Sequence, residues 1–186
     1  MLVVIALAGT GCDGRTGTDT PTTTMNSQQQ QLSELMSRPD INQVIASYTD
    51  MRDKLAQQLT TEFGMGSWLN LHDGRESGCA NEFPNVDRYD VVRHNLDRLS
   101  NDQTLGAEQW AQAVEVIFNL ANSYGFTRTG PRVDKPPSHY LTVLDQYGAE
   151  LFVGTEQQTV ISVTTGCHLT PDAKARGAAR TSTPGQ

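Results

Sequence analysis

Apolar residues recur at three- and four-residue steps from Ile41 to Phe63, where Val44, Ile45, Tyr48, Met51, Leu55 and Leu59 share one stripe. That period matches the turn of an α-helix, so the stretch from about Pro39 to Phe63 is predicted as an amphipathic helix with one packed face. Ser37 followed three residues later by Asp40 offers an N-terminal cap, Pro39 suits a first turn, and Gly64 is a natural stop. A second helix opens at Thr104 or Gly106. It turns Trp110, Ala113, Val114, Ile117, Phe118, Ala121 and Tyr124 inward and ends at Gly125.

Elsewhere the period shortens. Trp68-Leu69-Asn70-Leu71 reads as a short strand, with Asp73-Gly74 marking a turn before Ser77-Gly78-Cys79. From Val86 to Leu99 two patterns compete: Val91-Val92 favours a strand, whereas Val92, Leu96 and Leu99 suit a helical face, and the strand is preferred. A loop containing Pro131, Pro136 and Pro137 precedes three β-rich runs, Tyr140 to Asp145, Ala149 to Thr155 and Thr159 to Thr165, which read as an antiparallel meander. The fold class expected is α+β: a two-layer domain with an antiparallel sheet of about five strands and two main helices packed on one face.

The two ends differ from this middle. Residues 1–11 carry a short apolar run, Leu2 to Ala8, and Gly11 stands directly before Cys12. That junction reads as a lipoprotein signal peptide, with Cys12 becoming the lipid-bearing first residue of the mature chain. The competing readings are a plain secretory signal or a buried apolar strand. The run is shorter than the ~20 residues that cross a bilayer. Residues 12–36, rich in Thr and Gln, read as a flexible tether holding the domain on the order of 25 Å from the membrane. Residues 37–170 form the globular domain, and residues 171–186, rich in Ala, Gly, Thr and Pro, read as a disordered tail.

Only three cysteines are present, and lipidation of Cys12 leaves the pair Cys79 and Cys167. In an oxidising envelope such a pair is expected to be bridged; the alternative is two separate buried thiols. Lys plus Arg number 14 against 21 Asp plus Glu, for a net charge of −7, with no basic cluster. Nucleic acid is therefore not an expected partner, and contact with the lipid bilayer should come from the acyl anchor.

Catalytic constellations are weak. His72, His94, His139 and His168 are scattered without metal-ligand spacing, so no metal and no cofactor is expected. No nucleophile-elbow or phosphate-cradling glycine motif appears. His72-Asp73 with Glu76, near Cys79, is the densest polar group and the only candidate for an acid–base site, against a solvated turn. Cys167 and His168, adjacent on a strand, would point to opposite faces.

The order of landmarks resembles the small mycobacterial LppA-type lipoproteins. The resemblance runs from about Ile41 to Leu169 and rests on the first helix leading into Trp68 and Leu71, the Gly78-Cys79 pair, the second helix ending at Tyr124-Gly125, Tyr147 to Phe152, and Ile161 to Cys167. It implies an acylated envelope protein of unestablished role, with lipid on Cys12 and a bridge between Cys79 and Cys167. The function expected is that of a non-enzymatic lipoprotein at the extracytoplasmic face of the cell membrane, binding a small or lipidic ligand or docking an envelope protein. Trp68, Trp110, Phe118 and Phe152 are candidate liners of a groove, although each taken singly reads more readily as core. An envelope hydrolase using residues 72–76 is the alternative.

Overall fold

Asp40 caps the long helix. Its carboxylate accepts from the Gln43 backbone N–H at 3.0 Å while the Gln43 side chain accepts from the Asp40 N–H at 3.1 Å, a reciprocal pair that stabilises by about 1 kcal/mol. Ser37 instead closes a preceding helix, donating to the Glu34 carbonyl. In the computed structural model, which describes residues 20–181, the elements are α1 (Thr20–Ser37), α2 (Ile41–Phe63), β1 (Leu69–His72), β2 (Arg75–Gly78), β3 (Val91–Asn95), β4 (Arg98–Asn101) and α3 (Ala107–Ser123), followed by β5 (Arg128–Lys135), β6 (Ser138–Leu144), β7 (Glu150–Thr155), β8 (Thr159–Thr164), β9 (His168–Leu169) and α4 (Pro171–Thr181).

The α+β class and the antiparallel pairing hold, but the sheet has nine strands among the described residues and not about five. Its main path runs β1-β4-β8-β7-β6-β5, with β2, β3 and β9 attached as a side branch. Two causes account for the difference. The run 86–99 is a strand that breaks at Leu96 and Asp97, so that β3 and β4 lie end to end along β8, with Asn95 opposite Thr164 and Leu99 opposite Ile161. The supposed proline loop holds β5, an edge strand in which Pro131 sits where the register shifts between Thr129 and Arg132, a place that tolerates a missing N–H. Asp73-Gly74 is not a hairpin turn either: β1 pairs with β4 while β2 pairs with β3.

Two further expectations are corrected. The stretch read as a flexible tether is helical from Thr20, and the tail read as disordered is helical to Thr181. Leu35, fully buried, and Leu32 and Met36 beside it pack with Phe83, Leu169 and Ala173 in a second, smaller core that also holds the two inner cysteines. Gly177 on α4 comes close enough to Met36 that no methyl group would fit between them without movement. This apolar contact, with hydrogen bonds from the Asn85 N–H to Gln31 and from Lys174 to the Arg38 carbonyl, fixes the two helices on the domain.

The main core lies between α2 and α3 and one face of the sheet. Val44, Tyr48, Met51, Leu55 and Leu59 of α2 and Trp110, Val114 and Ile117 of α3 meet Leu141, Val143, Leu151, Val153, Ile161 and Val163. Strand residues alternate between faces, so Phe152, Tyr140 and Ser162 point the other way. One buried polar link crosses the layers: Tyr48 donates to Asp145 at 2.6 Å, and Asp145 also accepts from the N–H groups of Tyr147 and Ala149. Burial and the Asp145 carboxylate push the Tyr48 phenol well above its ordinary range, so it stays a donor.

Candidate functional site

Cys79 and Cys167 are joined by a disulfide across 88 positions, with Cα atoms 6.0 Å apart and both side chains buried. The bond ties the end of the β2–β3 arm to the start of β9. Cys12 lies outside the described residues.

The four aromatics do not line one groove. Trp110 is wholly inside the main core, stacked on His139. Trp68 and Phe118 pack at the edge of that core, and the Trp68 indole donates to the Ala56 carbonyl and the Thr60 hydroxyl on α2. Phe152 is on the opposite side of the sheet, its ring 5.7 Å from that of Tyr140. Alternation along β7 explains this, because Leu151 and Val153 take the helix side. The 72–76 group is divided as well: His72 and Asp73 line one cleft, whereas Glu76 belongs to a separate depression with Arg88 and Tyr89. Among the described residues no group of three or more His, Cys, Asp or Glu is placed to hold a metal.

What the topology does assemble is the face of the sheet opposite α2 and α3, which α1 and α4 cover only at the β3–β9 end. Register sets Leu69, Ser100, Val160, Gly154, Tyr140 and Val133 opposite one another across six strands. A neighbouring row brings His72 opposite Arg98 and Phe152 between Ser162 and Thr142. On this face two depressions meet at Arg98. One, about 350 Å³, has Tyr140, Phe152, Gly154 and Val160 at its floor with Glu156, Gln157 and Gln158 at its rim; the charged one, about 490 Å³, includes His72, Asp73, Arg75, Ser162 and Thr164. Gly154 makes the first possible, since a methyl group there would stand 2.9 Å from the Phe152 ring and lift it off the sheet.

The charged depression is held by the break in the 91–101 strand. Buried Arg52 of α2 donates to the Asp97 carbonyl at 2.9 Å, and the Asp97 carboxylate accepts from the Gly74 N–H at 2.6 Å, which places Asp73 and Arg75 beside Arg98. Arg98 Nε, like that of Arg93, is cut off from water with no hydrogen-bond partner among the described residues, but Arg93 donates elsewhere through its terminal nitrogen and Arg98 does not. Sequence reading missed it because a lone arginine in a β-rich run carries no signal until the register shows what surrounds it.

Two other histidines have fixed roles. His139, buried, pairs through Nδ1 with Asp134 at 2.7 Å across the β5–β6 hairpin, invisible while β5 was read as loop. His168, completely buried, donates from Nδ1 to the Pro39 carbonyl at 2.9 Å and meets the Tyr147 ring edge-on. Burial, with Arg38 and Lys174 nearby, holds its pKa below the ordinary histidine value, so the ring is neutral. Cys167 and His168 form no thiolate pair, since the sulfur is committed to the disulfide.

The α+β fold, with helices packed on an antiparallel sheet, is one that solved proteins share. The crystal structure of LppA from Mycobacterium tuberculosis superposes with a TM-score of 0.63 at 13% identity, covering 84% of this chain and 94% of that one. A DUF4853 family protein from Actinomyces odontolyticus gives 0.54 at 14% identity, covering 72% and 71%. The chain belongs to the LppA family: the family model, whose description is a lipoprotein confined to pathogenic Mycobacterium, matches residues 16–171. No curated protein matches the chain.

Proposed function

We propose that this protein is a non-enzymatic cell-envelope lipoprotein, anchored at the outer side of the cytoplasmic membrane through acylated Cys12, whose sheet face opposite α2 and α3 binds a small amphipathic ligand. The observation that supports this reading is the pair Tyr140 and Phe152. Both are only partly covered, lie side by side on a flat strand surface floored by Gly154, and adjoin a charged cleft. Ligand sites combine apolar area with a few placed polar groups, and this face has both. The hydrolase alternative is the less favoured reading, since Glu76 lines a different depression from His72 and Asp73.

Titration of the purified protein with N-phenyl-1-naphthylamine, a neutral dye that brightens in apolar sites, tests the reading. Saturable binding is expected, weakened roughly tenfold in the Phe152→Ala/Tyr140→Ala double variant, for loss of two partly buried rings. Absence of saturable binding, or equal binding by the variant with its fold retained by circular dichroism, would remove this face as the site.

A further inference from the structure

Among arginines whose side chains are described, those from Arg38 to Arg176 other than two donate to a carboxylate, a carbonyl or a hydroxyl. The two without such a partner among the described residues are Arg75 and Arg98, and both line the same cleft. Arg98 reaches it from β4, one strand in from the edge strand β1, with Nε buried and unpaired. A buried donor left unpaired is costly, and native structures retain few of them without a reason. Arg75 approaches from the edge strand β2 in a row with Asn95 and Thr164, whose side chains hydrogen-bond to each other. Against these two guanidinium groups the cleft sets the Asp73 carboxylate, with that of Asp97 beside it on the Gly74 N–H. Neither carboxylate pairs with either arginine among the described residues, so both guanidinium groups keep free donors.

We propose that Arg98 and Arg75 receive an anionic oxygen group, a carboxylate or a phosphate ester, on a ligand whose apolar body lies over Tyr140 and Phe152. This deepens the ligand-binding reading and rests on it. Guanidinium groups present paired donors that match such oxyanions, and the Ser162 and Thr164 hydroxyls in the same cleft supply further hydrogen bonds. Geometry sets the ligand's size. Phe152 stands opposite Ser162, and β8 lies between β7 and β4, so two strand spacings separate the ring from Arg98, roughly 10 Å. An inorganic ion would fill the cleft and leave the aromatic floor empty.

The test compares probes that share a tail and differ in the head. Dodecyl phosphate and dodecyl maltoside, both below the concentrations at which they form micelles, are titrated against the full chain carrying Cys12→Ser, so that no attached acyl group competes. Dodecyl phosphate is expected to bind at least about tenfold tighter than the maltoside, and the ratio should fall toward one in Arg98→Gln and in the more exposed Arg75→Gln. Thermal unfolding of both variants checks the fold, and Arg75→Gln alone suffices if Arg98→Gln does not fold. Equal affinities in the parent chain would overturn the anion site while leaving the ligand-binding reading intact; failure of both probes to bind would overturn that reading itself. Inorganic phosphate that bound as tightly as dodecyl phosphate would overturn the two-part site. Phosphatidylglycerol vesicles against phosphatidylcholine vesicles separate the sources: retention that needs both arginines assigns the head to a bilayer lipid, and binding of dodecyl phosphate without vesicle retention assigns it to a soluble anion.

Discussion

A methyl group on Gly166 would stand 2.1 Å from the Tyr147 carbonyl oxygen and 2.8 Å from its carbonyl carbon, both backbone atoms that cannot rotate aside. Gly166→Ala is therefore expected to cost on the order of 3 kcal/mol, read as a lowered urea midpoint at unchanged slope. A midpoint equal to that of the parent would show this contact to be slack. His168 sets a pH dependence at the same corner. Its folded pKa lies below the ordinary 6.5, so between the two values the unfolded chain binds the extra proton. Its contribution to stability is complete above about pH 6.5 and is lost as the pH falls through the folded value. The acid-side decline in unfolding temperature should be shallower in His168→Gln than in the parent; parallel curves would exclude His168 as its source. At this scale the cysteine pair was legible in the sequence, because compartment and parity limit what two thiols can do. The constraint on Gly166 was not, since Tyr147 meets it only through the fold.

Helix α2 shows what periodicity reads well: the long stripe and the glycine stop stand where expected, while the cap falls on Asp40, three residues beyond Ser37. The broken strand shows why it fails. The break at Leu96 and Asp97 offsets the two-residue alternation, so Val92, Leu96 and Leu99 fall at spacings that imitate a helix while all three are buried in β-structure or at its junction. β5 was hidden by prolines and charges that suit an exposed edge. α1 and α4 were hidden by composition, because each buries only a few apolar residues near one end. Leu35 is the sharpest check on α1. It is fully buried, and Leu35→Ala is expected to destabilise by about 2–4 kcal/mol in chemical denaturation. A change within a few tenths would return that segment to the status of a linker.

Across the whole molecule the helices α2 and α3 cover one side of the sheet, and the other side carries the aromatic pair and the arginine cleft. Among the described residues no helix is long and apolar enough to cross a membrane, so the proposed anchor rests on Cys12. In Triton X-114 partition of protein made in a lipoprotein-processing host, the parent is expected in the detergent phase and Cys12→Ser in the aqueous phase. Recovery of the parent wholly in the aqueous phase would dismiss the anchor. The helix that runs from Thr20 changes the picture of the tether, because the final turns of residues 20–37 belong to the domain. The span left between Cys12 and that helix is much shorter than the tether composition implied.

By itself the sequence determined the class of the fold, the two core helices, the closing meander and the pairing of the inner cysteines. Each of these is written in short-range period, in turn residues or in the chemistry of a single residue type. Only tertiary structure decided how many strands complete the sheet, that the terminal segments join it, and that Arg98 meets Arg75, Tyr140 and Phe152 on one face. Those outcomes depend on strand register, which brings distant positions together and leaves no local mark on any of them.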